Sequence, residues 1–247
     1  MRCFVALTTL LALSIFHTAC TSKPQTSTVA DAPTPANSIA ESRVVCIDPG
    51  HPSEINSGRT LQNGTSEVHI AWVVGLKLKE LLEAKGLRVV MTKPAEDQLV
   101  RNKERALIAN DAGAMLMVRL HCDSSAGEGF AVYYPDRQAT VDGLSGPPQE
   151  IITRSRLAAR SMHEELEAAL QGELKAGGVR GDSQTSVGSR QGALTGSIYS
   201  KVPVVTVEMV VLSNVSDAEF IKSETGQRKM AQAIANGVKR FVGPAAF

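Results

Sequence analysis

The strongest constraint in this chain is where its short apolar runs stop. Val44-Val45-Cys46-Ile47 passes through Asp48-Pro49-Gly50 to His51, Met115 to Leu120 leads directly into His121, and Val202 to Val207 ends on Glu208. Each run is brief and rich in aliphatic and β-branched residues, the make-up of a buried strand rather than a helix. Leu87 to Thr92 and Gly129 to Tyr134 read as further strands. Between them, Ser66 to Lys85, Asn102 to Asp111, Glu150 to Lys175 and Thr225 to Phe241 read as helices. Strands alternating with helices predict a three-layer α/β/α domain with a mostly parallel, twisted sheet. In such a sheet the ligand site lies beyond the carboxyl ends of the strands. His51, His121 and Glu208 therefore point to one shared pocket.

Two imidazoles and a carboxylate are a common ligand set for catalytic zinc, which keeps a further position open for water or substrate. A second carboxylate is then free to act as a base. Glu67 opens the first helix, where Val74, Leu78, Leu81 and Leu82 form an apolar stripe and Thr65 or Ser66 can cap the free N–H groups. Gly86 is placed to end that helix in a left-handed turn. A carboxylate in a first helical turn also suits the helix dipole, so position alone leaves Glu67 between a structural and a ligand role. Asp48 is placed to orient an imidazole. Arg105, near Glu104 and Asp111, reads as half of a structural ion pair, His69 and His163 as solvated, and Asn214 as a turn former behind Glu208.

With these residues in place, the chain resembles the zinc-dependent N-acetylmuramoyl-L-alanine amidases of the bacterial cell wall. The resemblance rests on Ile47-Asp48-Pro49-Gly50-His51, a helix opening at Glu67, Arg105 before Ala109-Asn110, the strand into His121, Arg180-Gly181, and Val207-Glu208 followed by Leu212-Ser213-Asn214. These occur in the family's order over about residues 43–242. The resemblance implies zinc ligands at His51, Glu67 and His121, a catalytic carboxylate at Glu208, and peptidoglycan as substrate. Pro52 replaces the usual Gly-Gly after the first histidine, Met209-Val210-Val211 replaces Leu-Gly-Phe, and the stretch from Arg180 to Pro203 is longer than usual. Periplasmic members of the family can carry an inserted helix that blocks the zinc. The polar stretch from Pro135 to Pro148 is too short for such a helix and its connections, which implies constitutive activity.

The ends of the chain say where it works. Met1-Arg2, an apolar stretch from Cys3 to Phe16 and a small residue before a break fit a secretory signal over residues 1–20. Ala19-Cys20 followed by Thr21-Ser22 resembles the lipobox of bacterial lipoproteins, which implies an exported, periplasmic or cell-envelope protein anchored in the membrane through an acylated Cys20. Residues 21–42, rich in Thr, Ser, Pro and Ala, read as a flexible tether, and residues 43–247 as one catalytic domain. Cys46 and Cys122 either pair in an oxidising compartment or remain buried thiols.

A formal net charge of +1 argues against nucleic-acid capture, which needs a clustered basic face. No phosphate-binding glycine loop or Gly-x-Ser-x-Gly elbow is present, which disfavours nucleotide and serine-hydrolase chemistry. Two other readings share the ligand set: a zinc carboxypeptidase or deacetylase acting on another wall bond, and a wall-binding module that has lost activity.

Overall fold

The computed structural model describes residues 43–243, so the expected signal segment and tether, with Cys20, lie outside the described residues. The chain runs β1 (Val44–Pro49), α1 (Glu67–Glu83), β2 (Arg88–Met91), α2 (Asn102–Asp111), β3 (Leu116–Asp123) and β4 (Phe130–Tyr134). A small hairpin of β5 (Ala139–Val141) and β6 (Leu144–Gly146) follows, then α3 (Gln149–Leu170) and β7 (Ala176–Gly181). After β7 come the single-turn helices α4 (Gly188–Gln191) and α5 (Thr195–Ile198), then β8 (Val204–Val211), α6 (Val215–Lys222) and α7 (Glu224–Val242). Six strands form one sheet in the order β2-β1-β3-β8-β4-β7. Every neighbouring pair is parallel except β4 with β8. Because β4 and β7 run against the other four, only β1, β2, β3 and β8 bring their carboxyl ends to the same edge.

The two faces of the sheet differ in chemistry. One packs Val45, Ile47, Val118, Leu120, Val205 and Val207 into a single apolar cluster with the inner faces of α1, α3 and α7. Each fully buried Val, Ile or Leu contributes about 1.5–3 kcal/mol, so most of the fold's stability resides on this side. Since side chains alternate along a strand, the intervening residues face the other way. There the register builds rungs across β1, β3 and β8. Cys46 lies beside Met117 and Met117 beside Val204, an apolar rung against Ala109 of α2. Asp48 lies beside Arg119 and Arg119 beside Thr206, a buried polar rung. The last rung, at the carboxyl edge, pairs His121 with Glu208.

Several local expectations are revised. Ser66 holds the N-cap position of α1 but its hydroxyl makes no capping bond, and Thr65 forms a backbone bridge with Gln62 instead. Gly86 does take the left-handed conformation (φ 81°) that ends this helix region. Asn214 caps α6, its side chain accepting from the Asp217 N–H at 3.2 Å. His163 is not solvated: its ring lies 5.8 Å from that of Phe130 and its Nε2 is buried. Cys46 and Cys122 are free, buried and on opposite faces of the sheet, so they cannot pair in this fold. The stretch from Pro135 to Pro148 holds the β5–β6 hairpin rather than a helix.

Candidate metal centre

His51 stands in the loop just past β1 with φ 54°, a left-handed conformation that a residue with a side chain adopts only when its surroundings enforce it. Those surroundings are two buried cations. Arg105 donates to the carbonyls of Pro49 (2.8 Å) and Pro52 (2.7 Å), and the Lys93 ammonium donates to those of His51 and Gly50. Every carbonyl from Pro49 to Pro52 is therefore held. Gly50 is needed here because a Cβ would meet the His121 ring at 2.6 Å. Gly58 (φ 67°) presses on His51 from the other side, where a Cβ would lie 2.5 Å from the His51 Cβ.

Glu67, in the first turn of α1, bridges the two imidazoles. Its Oε2 lies 3.1 Å from His51 Nε2 and its Oε1 lies 2.9 Å from His121 Nδ1. Oε1 also accepts the Cys122 N–H at 3.2 Å. His51 Nδ1 lies 3.0 Å from the Asn56 carbonyl, which can only accept, so a neutral His51 spends its proton there and turns the Nε2 lone pair toward Glu67. One ligand atom from each of His51, Glu67 and His121 lies within 4.8 Å of the others. Two nitrogens and one carboxylate oxygen converging this closely, with one imidazole fixed by a backbone carbonyl, fit a zinc ion and its outer partners.

Burial pushes the Glu67 carboxyl up, but the hydrogen bond from His121, and one from His51 when that ring is protonated, outweigh it and hold the group well below the usual range. Burial lowers His121, with Glu67 offsetting only part of the effect, which favours the neutral imidazole that a metal requires. Glu208 moves the opposite way. Burial, then the charges of Glu67 and Asp123, push its carboxyl well above the ordinary value, and its Oε2 is buried without a partner. These four residues share a cleft of about 380 Å³.

Asp48 is one rung below and does not orient an imidazole as expected. It accepts from Arg105 (2.6 Å), Arg119 (3.1 Å) and the Thr92 hydroxyl (2.5 Å). Arg105 is thus structural, as expected, but its partner is Asp48 rather than Glu104 or Asp111. His69 stays at the surface beside Glu96. The sequence reading missed Lys93, although a signal existed: Thr92 and Lys93 follow β2, the fourth strand whose carboxyl end meets this edge.

A mostly parallel α/β sheet whose carboxyl edge carries two imidazoles, a helix-borne carboxylate bridging them and a second, unpaired carboxylate has the make-up of a hydrolase. A family model described as N-acetylmuramoyl-L-alanine amidase matches residues 45–240, and the chain belongs to that family. Among its relatives, N-acetylmuramoyl-L-alanine amidase Rv3717 of Mycobacterium tuberculosis is 29% identical over 233 residues, covering 85% of this chain and 89% of the relative. N-acetylmuramoyl-L-alanine amidase AmiA of Escherichia coli is 23% identical over 220 residues, covering 79% and 75%. The apo crystal structure of the amidase Ami1 from Mycobacterium abscessus shares the fold, with a TM-score of 0.67 at 24% identity over 81% of this chain and 99% of that one.

Proposed function

We propose that this amidase is zinc-dependent and cleaves the amide between the lactyl group of N-acetylmuramic acid and L-alanine in peptidoglycan. The observation that carries the reading is Glu67 lying between His51 and His121 while Glu208, beside His121 in the register, has an unpartnered buried oxygen. His51, Glu67 and His121 would hold the metal. When bound, zinc supplies a Lewis acid that polarises a carbonyl and lowers the pKa of water toward about 7. Glu208 takes the proton of the attacking water and delivers it to the departing nitrogen of L-alanine. Its high pKa suits the second half of that task, and a cation held by His51, Glu67 and His121 would favour the ionised form needed for the first.

No residue between Pro135 and Pro148 lines the cleft, which supports activity without an activator. Export and acylation at Cys20 complete the reading, and the mass of the mature N-terminal residue tests them. The decisive experiment joins metal analysis of the purified protein to mass analysis of digested peptidoglycan. Stoichiometric zinc and release of peptides with N-terminal alanine are expected. A new free amino sugar or a shortened stem would point instead to a deacetylase or carboxypeptidase, and zinc without any product to an inactive binding module.

A further inference from the structure

The segment between β7 and β8 closes one side of the cleft, contributing Arg190, Thr195 and Gly196 next to the buried Arg119. Arg119 is 4% exposed and divides its donors unevenly. Nε bonds Asp48 at 3.1 Å, Nη2 reaches Asn102 Oδ1 at 3.4 Å, and Nη1 is buried with no partner. Gly196 lies against this guanidinium, where a Cβ would sit 3.4 Å from Cζ and 3.5 Å from Nη1. The glycine leaves a methyl-sized space beside that nitrogen, which any larger residue would fill. Arg190 is exposed on the same segment, lines the cleft and has no ion pair among the described residues. Asp182, which feels the Arg119 charge, is pushed toward its neutral form by burial.

We propose that Arg119 Nη1 and Arg190 form a carboxylate-binding subsite for the free α-carboxylate of the second residue of the stem peptide, favouring peptidoglycan in which that group is not amidated. The orientation rests on the amidase reading above, which puts the scissile amide at His51, Glu67 and His121. Distance supports it. A carboxylate on the second residue lies about 7 Å from the scissile carbonyl at an extended rise of about 3.3–3.6 Å per residue. Arg119 precedes His121 by two residues on one strand face, about 6.6 Å along β3. A carboxylate there would meet an unpaired buried donor and an unpaired surface cation, whereas an amide would offer no charge to either.

Calorimetric titration of the zinc-loaded protein with L-Ala-γ-D-Glu-L-Lys, and with the same tripeptide amidated at the α-carboxylate of its second residue, tests this without turnover. The acid should bind more tightly by about tenfold or more, the usual worth of a hydrogen bond to a charged group. Arg190→Ala should erase most of that advantage and leave the affinity for the amide unchanged. Arg119→Gln also cuts the bond to Asp48 and risks the fold. Gly196→Ala, whose methyl fits at ordinary contact distance, covers Nη1 instead and should reduce the advantage too. Equal affinities in the wild type, or an advantage that survives in both Arg190→Ala and Gly196→Ala, would overturn the subsite. Hydrolysis is scored separately, on muramoyl-L-Ala-D-isoglutamine with the wild-type protein. A wild type that binds the acid selectively yet releases no product would uphold the subsite and sink the amidase reading.

Discussion

Asp48 and Glu208 are two carboxylates on one face of one sheet, a single rung apart in register, the first fully buried and the second partly so, and they are treated in opposite ways. Asp48 receives two guanidiniums and a hydroxyl, with both oxygens engaged. Glu208 has an oxygen with no partner, and the charges of Glu67 and Asp123 outweigh that of Arg119 around it. Burial alone pushes both groups up; the cations around Asp48 reverse the sign, and nothing around Glu208 does. Removing one member of a buried ion pair strands the others, so the lower rung is where a mutation breaks the fold. A buried acceptor left unpaired has the opposite logic: the protein forgoes stability there and keeps the group available for chemistry.

The contrast breaks most visibly if the two sites are neutralised in turn. Glu208→Gln keeps size and hydrogen-bonding atoms but cannot take a proton, so turnover on muramoyl peptide should fall by about 10²- to 10⁴-fold. Bound zinc and stability should hold, and the midpoint in urea should stay level or rise because the new amide buries no charge. Loss of zinc in this variant would make Glu208 a ligand and undo the division of labour. Asp48→Asn is the mirror image. It leaves Arg105 and Arg119 buried without a counter-charge, and should cost about 3–5 kcal/mol in urea unfolding. A change under about 1 kcal/mol would mean that the carbonyls of Pro49, Pro52 and Val100 satisfy Arg105 without Asp48.

How much of this was legible in the sequence follows the same division. Strand ends carry their own signal, because an apolar run that stops on His or Glu is visible in one dimension, and His51, His121 and Glu208 were readable for that reason. The ionic rung was not. Asp48, Arg105 and Arg119 are far apart in the chain and meet only through the β1–β3 register and the packing of α2, so Asp48 was expected to serve a histidine. Strand β7, Ala-Gly-Gly-Val-Arg-Gly, lacks the β-branched pattern that marks a strand, and its pairing with β4 is imposed by the tertiary fold. The single-turn helices before β8 are too short to leave a periodic trace, and they carry the cleft wall on which Arg190 stands.

Lys93 sharpens the comparison, since it belongs to the supporting layer yet touches the ligand loop directly. Burial, then repulsion from Arg105, lowers its ammonium to about 8, and it still spends its donors on the carbonyls of Gly50, His51 and Glu96. Lys93→Met fills similar volume without those bonds, which frees the loop that sets His51 at positive φ. Zinc affinity should fall by about 10- to 100-fold, the range for lost outer-shell support. Competition against a chromogenic chelator measures it. An unchanged affinity alongside lowered stability would reduce Lys93 to a packing residue.

The smallest effect, and the one that separates the two carboxylates by sign, is the pH dependence of stability in metal-free protein. Asp48 is held below its unfolded value, so its stabilisation is present above about pH 3.9 and is lost as pH falls through the folded value. The stability gap between wild type and Asp48→Asn should therefore stay constant near neutrality and shrink once the pH drops below about 4. Glu208 is held above its unfolded value, so its contribution is complete below about pH 4.3 and is lost as pH rises through the folded value. Glu208→Gln should therefore gain on the chelator-treated wild type as pH rises from acid toward neutral. Urea midpoints measured across that range for all three proteins decide the matter: slopes of the same sign for the two variants would show that both carboxylates are compensated, and the division between a paired rung and an unpaired one would not stand.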